Sequence, residues 1–171
     1  MSLSGLLLLT DARTPAGGHA HSGGIEAAVN AGTVRDVADL ARFLQGRLHT
    51  TGPVAAAVAA LACARAADST TALDPAGWDE LDAEVSARTP SPAQREASRA
   101  QARTLLRAAR VAWPAAVLDL FAQARPGTHH SVALGAVAAC AGCAPVEAAL
   151  AGAYLSVTCL LYTSPSPRDR S

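Results

Sequence analysis

Lysine is missing from this chain of 171 residues: all 14 basic side chains are arginine. That removes the phosphate-gripping lysine of a Walker A loop and the amine of Schiff-base chemistry. A P-loop nucleotidase is thereby excluded. No charge of one sign dominates either, since 14 acidic residues balance the arginines to a formal net charge of zero. A dedicated nucleic-acid-binding domain would be clearly basic. Aromatic residues make up only 4% of the chain. The longest apolar stretches, around Val54–Ala64 and Val132–Ala141, fall short of the roughly 20 residues that a bilayer demands. The leucine run Leu6–Leu9 has no basic residue before it and Asp11 close behind, unlike a secretory signal. The chain therefore reads as cytoplasmic, without a membrane partner. Alternating β-branched stretches and hairpin dipeptides are absent as well. Four cysteines (Cys63, Cys140, Cys143 and Cys159) do not form the framework of a small secreted domain.

What the chain does have is alanine, the best intrinsic helix former, in a sequence that is 50% apolar and 16% charged. Small apolar side chains let helices approach closely. The expectation is an all-α, single-domain compact bundle of about seven or eight helices. Punctuation supports it. Between Thr33 and Leu48, the residues Val34, Val37, Leu40, Ala41, Leu44 and Leu48 recur at helical spacing and share one face. Thr33, with Asp36 three residues on, is the expected cap there. Asp74-Pro75 reads as a cap followed by proline at the first helical position. Ser91-Pro92-Ala93-Gln94 joins a cap, an N1 proline and a capping-box glutamine. Pro145 with Glu147 opens another helix after a turn at Gly142. Pro114 and Pro126 mark breaks after Trp113 and Arg125, and residues 67–71 read as a loop. No motif recurs at the period of a helical repeat.

One segment cannot continue a helix. Residues 11–26, Asp-Ala-Arg-Thr-Pro-Ala-Gly-Gly-His-Ala-His-Ser-Gly-Gly-Ile-Glu, hold two glycine pairs and a proline. They specify a tight loop with unusual backbone angles or close contact with something. Ser22 is placed to cap a helix over about 24–30. Glycine pairs also cradle phosphate, but that use needs a preceding strand, and none is expected. His19 and His21 could ligate a transition metal, with a third ligand from His49, His129, His130 or the Cys140–Cys143 pair. A lone H-x-H and a single C-x-x-C lack the second ligand pair of a zinc site, however, and read as structural.

Arg95, Arg99, Arg103 and Arg107 follow at four-residue steps, with Arg110 beyond. They make a slanted basic stripe suited to an acidic partner or a nucleic-acid backbone. The bland alternative is a solvated face partly neutralised by Asp79, Glu80, Asp82 and Glu84. No nucleophile, histidine and carboxylate stand in a recognisable pattern, and neither H-E-x-x-H nor a paired Glu-x-x-His motif is present. From Cys159 the style changes abruptly to Cys-Leu-Leu-Tyr-Thr-Ser-Pro-Ser-Pro-Arg-Asp-Arg-Ser. Residues 159–171 read as a non-native translated read-through tail, leaving 1–158 as the domain, incomplete at its C-terminus.

Three ordered segments carry a resemblance. Pro15, Gly17, Gly18, His19, His21, Ser22, Gly23, Gly24 and Glu26 are similar to the N-terminal signature of the UreF family of urease accessory proteins. Residues 87–107 look like the central segment of its actinobacterial branch. His129-His-Ser-Val-Ala-Leu-Gly135, followed by Gly142 and Pro145, resembles a third. The likeness runs from about Leu3 to Thr158. It departs at Thr14, where a large apolar residue is common, and at Ala102, where glycine is more usual.

The resemblance implies an all-helical fold and a non-enzymatic role as a scaffold. Family members join UreD (also called UreH) to the GTPase UreG and deliver the assembly to apo-urease. Nickel is inserted there when UreG hydrolyses GTP. No cofactor is bound stably, nickel being handled by the complex, and the intact protein is a homodimer. The chain of family members continues for several more helices that contribute to partner contacts and dimer formation, so an apolar face near Leu150–Val157 is expected to lie uncovered. Residues Pro15 to Glu26, with Arg95, Arg99 and Arg103, are the candidate partner-binding positions. His21 is the single candidate for touching nickel. Competing readings are a nucleic-acid-binding regulator using Arg95–Arg110 and a metal-dependent hydrolase built on His19 and His21.

Overall fold

Helix is the only regular structure among the described residues, which are 3–11, 23–123 and 126–162 of a computed structural model. The segments are α1 (Leu3–Thr10), α2 (Ile25–Asn30), α3 (Val37–His49), α4 (Thr51–Ala67), α5 (Pro75–Ala87), α6 (Pro92–Ala112), α7 (Ala116–Gln123), α8 (His130–Cys140) and α9 (Pro145–Tyr162). Helices α3 and α4 abut at Thr50. Counted as one rod, they leave eight helices among the described residues, within the seven or eight that the sequence suggests.

Three helix starts follow the local chemistry read from the sequence. The Asp74 carboxylate accepts hydrogen bonds from the Ala76 and Gly77 N–H groups, with Pro75 at the first helical position. Ser91 Oγ accepts from the Gln94 N–H ahead of Pro92. Glu147 reaches back to the Ala144 N–H at 2.7 Å, holding the start of α9. These contacts satisfy donors that a helix N-terminus would otherwise leave orphaned. The start of α3 corrects the sequence expectation. Its cap is Asp36, whose side chain accepts from the Asp39 N–H. Thr33 instead donates its hydroxyl proton to the Ala28 carbonyl, closing the end of α2. Asp36 is the better cap because an ionised acceptor also meets the positive end of the helix dipole.

The core is built around α4, which packs most extensively on α8 and α9. Its inner face is Val58, Ala59, Ala62 and Cys63, and α8 is buried over Val132–Ala138. Two glycines let the backbones meet. A Cβ at Gly135 of α8 would lie 2.6 Å from Ala62 Cβ and 2.9 Å from the Cys63 nitrogen. One at Gly152 of α9 would lie 2.8 Å from the Ala55 carbonyl oxygen. Helix α6 lies on the other side of α8, contributing Ala102, Leu105, Leu106 and Ala109 to the core. Two of the few aromatics join α5 to α7: Trp78 meets Phe121 edge-on at 4.9 Å and donates its indole N–H to the Ala72 carbonyl. Arg65 lies over the same indole at 5.3 Å, a favourable cation–π geometry.

Taken together, Val37–Ala67 is long and apolar enough, by length and composition, to cross a membrane. No single sequence run announced it, because the rod forms only when α3 and α4 join. It carries Asp39, Arg42 and Arg47 in its first half, and its second half is the central helix of the bundle. The shared face expected on α3 is covered only in part. Leu40 and Leu44 are half-buried together with Phe43, while Val37 is 82% exposed. On α9, Val146, Leu150 and Tyr154 form an exposed apolar ridge. Helix α9 continues past Cys159 to Tyr162.

Candidate functional site

Of the glycine-rich run, Gly23, Gly24 and Glu26 lie among the described residues; Pro15, Gly17, Gly18, His19, His21 and Ser22 lie outside them. Gly23 and Gly24 both have positive φ, 57° and 97°, a region that only glycine enters without strain. Gly24, rather than a side chain, stands at the N-cap of α2. Glu26 is exposed in the first turn of α2. The end of the run is fastened by Arg47 of α3. Its Nη1 donates to the Gly23 carbonyl at 2.8 Å and its Nε to the Ser156 carbonyl of α9 at 3.2 Å. One guanidinium thus joins three parts of the chain, Arg47 and Ser156 alone lying 109 residues apart. Sequence reasoning missed Arg47 because nothing local to it announces a distant carbonyl.

Beside this staple lies a cleft of about 140 Å³ where α4, α6, α8 and α9 converge. Its walls include Val54, Leu134 and Leu155, with Gln101, His130 and Ser131 among its polar groups. It places the third resembling segment (from His129) next to the end of the first.

The arginines of α6 do not form one uniform surface stripe. Arg99 turns inward, with only 15% of its side chain exposed, and pairs with Asp82 of α5 at 3.0 Å. It also donates to the Gly127 carbonyl at 2.9 Å and to Ser86 Oγ at 3.2 Å. Arg95 donates to the Thr89 and Pro90 carbonyls at the turn between α5 and α6. Arg103 and Arg107 are exposed. Arg110 pairs with Asp119 of α7 at 2.7 Å. The four-residue spacing gave the face correctly, but the elements packed on that face decide which cations reach solvent.

Around Arg99 the structure assembles a buried polar junction absent from any sequence motif. Asp82 Oδ1 accepts from the His129 N–H at 2.6 Å and from the Thr128 hydroxyl at 3.0 Å. Ser98 Oγ accepts from the His130 N–H at 3.0 Å. Side chains of α5 and α6 thereby satisfy the first donors of α8. The His129 ring is fully buried between two hydroxyls, with Nε2 3.0 Å from Ser86 Oγ and Nδ1 3.1 Å from Ser98 Oγ. Burial pushes its pKa below the ordinary value of 6.5; Asp82 opposes this, and Arg99 and Arg95 reinforce it. Serine, histidine and aspartate are therefore together, yet not in a hydrolytic arrangement. A triad needs its carboxylate on the second ring nitrogen and its serine open to substrate. Here Ser98 holds that nitrogen, and the aspartate serves the helix backbone.

The remaining metal-ligand candidates are dispersed. His49 ends α3, His129 and His130 begin α8, and Cys140 ends it. No group of three or more His, Cys, Asp or Glu is placed to hold a metal ion among the described residues. The Cys63 thiol donates to the Cys143 carbonyl at 3.4 Å, and burial, reinforced by Cys143, pushes its pKa up to about 11. Burial also raises the Cys140 and Cys143 thiols. These are the properties of small core residues, not of reactive thiolates.

Comparison with known proteins places the chain. The family UreF matches residues 34–162. A urease accessory protein UreF from Mycolicibacterium vanbaalenii is 45% identical over 157 residues, 92% of this chain and 69% of that protein. Those from Mycobacterium marinum and Mycobacterium tuberculosis are 44% and 42% identical over the same extents. No solved structure matches. The family match lies outside the glycine-rich run that first suggested the resemblance, so the central and C-terminal helices carry the likeness independently. The chain belongs to the UreF family of urease accessory proteins.

Proposed function

We propose that this chain is a non-enzymatic scaffold that joins UreD (UreH) and the GTPase UreG on apo-urease for nickel insertion. The observation that carries the reading is 42–45% identity to urease accessory proteins over 92% of the chain. The described residues favour a binding role: the one serine–histidine–aspartate cluster is committed to holding helices together, and exposed apolar and basic surfaces remain on α9 and α6. In this reading nickel is cargo handled by the complex, no cofactor is bound stably, the protein works in the cytoplasm, and the intact form is a homodimer. Residues 1–158 are the working unit, with 159–171 a non-native tail.

The competing readings find less support. A nucleic-acid surface on Arg95–Arg110 loses Arg99 to Asp82 and shares Arg110 with Asp119. The hydrolase reading rests on His19 and His21, which lie outside the described residues, and of its third-ligand candidates His49 ends α3 while His129, His130 and Cys140 lie at the two ends of α8.

The test is co-purification of residues 1–158 with a UreD-type partner from a related urease operon, with circular dichroism alongside. The expected result is a helical protein in a stable complex that then recruits the GTPase. A helical protein that binds neither, even with a relative's C-terminal segment appended, would overturn the reading. Within it, replacing His21 with alanine should lower urease activation if that imidazole touches nickel; unchanged activation removes His21 from the path.

A further inference from the structure

We propose that the groove between α6 and α7 receives an acidic helix of a partner protein, gripped by Arg103 and Arg107. The groove has a volume of about 260 Å³, room for one large apolar side chain. Its apolar lining is Leu106, Phe121, Ala122 and Pro126, and its rim is Arg103, Arg107 and Arg110.

The arginines along α6 divide by what they meet. At one end Arg99 is held by Asp82 and the Gly127 carbonyl. At the other, Arg110 is held by Asp119, which clips α7 onto α6. Between these clamps Arg103 and Arg107 are exposed and have no carboxylate partner among the described residues. The ion pairs that could have neutralised the stripe thus close its two ends and leave the middle positive.

Four residues apart on a helix, the two side chains leave the backbone about 6 Å from each other, on the same face. That spacing matches two carboxylates one turn apart on a second helix. Each guanidinium can grip a carboxylate with two parallel hydrogen bonds. A helix bearing such a pair, with an apolar residue between them, would seat its anchor against Phe121 and Pro126 while its charges meet the rim. Glu96, two turns toward the start of α6, sets the register: an acidic residue facing it would be repelled, so the complementary charge is confined to the Arg103–Arg107 turn. The proposal rests on the scaffold reading only for which partner supplies the acidic helix.

The probe is a fluorescein-labelled amphipathic peptide with two glutamates four residues apart flanking one leucine, titrated with the whole chain and followed by anisotropy at about 50 mM salt. Saturable binding is expected. It should weaken about tenfold or more in the Arg103→Glu/Arg107→Glu double variant, and weaken as salt rises to about 300 mM. A peptide with lysines in place of the glutamates should prefer the double variant over the parent chain. Arg103→Gln/Arg107→Gln gives the same loss without charge reversal, should the reversed variant fold poorly by circular dichroism. No binding to the parent chain, or equal binding to parent and variants, overturns the proposal. So does tighter binding of a short DNA duplex than of the acidic peptide, which would assign the stripe to phosphates. Because the assay uses no urease partner, its failure is separable from failure of the scaffold reading.

Discussion

One face of α8 and its N-terminal start are held by opposite means. Toward α4 and α9 the contact is dry and made of alanine, glycine and backbone, with Gly135 set against Ala62 and Cys63. Toward α5 and α6 hydrogen bonds are added to the apolar packing of α6, with Asp82 and Ser98 serving the first turn of α8 and His129 held between two serines. The first contact works by exclusion and fails when something is added. The second works by saturation of donors and acceptors and fails when something is removed. A single helix thus depends on shape along one face and on polar matching at its start.

The largest effect should come from Asp82→Ala. It leaves Arg99 charged and mostly buried and frees the donors of Thr128 and His129, so a loss of about 3 kcal/mol is expected in urea unfolding. Gly135→Ala tests the other face. The added methyl forces α8 off α4, and about 2 kcal/mol should be lost in the same assay. Combined, the two losses should nearly add, because they share no partner; strong non-additivity would show the two faces to be one cooperative unit.

The His129 imidazole gives a smaller effect that depends on pH. Its pKa is depressed in the folded state, so its contribution is complete above the unfolded value of 6.5 and is lost as pH falls from there through the folded pKa. Stability of the parent chain should decline over that window, and His129→Asn should flatten the decline. A parent profile that is level below 6.5 would contradict the neutral, buried ring. Smaller still, Cys63 should resist alkylation at pH 8 until the chain unfolds, since its thiol titrates at about 11; mass spectrometry of the modified protein reads this directly. Arg110→Ala, which breaks an exposed pair, should cost about 0.5 kcal/mol or less.

Much of this fold is legible from local chemistry. Asp74-Pro75 and Ser91-Pro92 each contain, within a few residues, both the acceptor and the donors it serves, so α5 and α6 could be started from sequence. Helix α3 could not be placed as well, because Thr33 and Asp36 are both plausible caps and only the closing of α2 assigns Thr33 elsewhere. The polar junction was out of reach. Ser86 and His129 are 43 residues apart, and His129 and Ser98 are 31; no periodicity connects them. Arg99 sat on the stripe that its spacing described, but its direction is set by Asp82 on another helix. Arg47 was likewise hidden, its acceptors being backbone carbonyls that every residue offers.

The small side chains at the centre have a thermal consequence. Alanine and glycine remove little apolar surface from water per residue, and the heat-capacity change of unfolding scales with that surface. A bundle centred on Ala59, Ala62, Gly135 and Gly152 should therefore have a flatter curve of free energy against temperature than one of equal length centred on leucine and phenylalanine. Its stability would change little between a cold and a warm environment, and its unfolding on heating would be correspondingly broad.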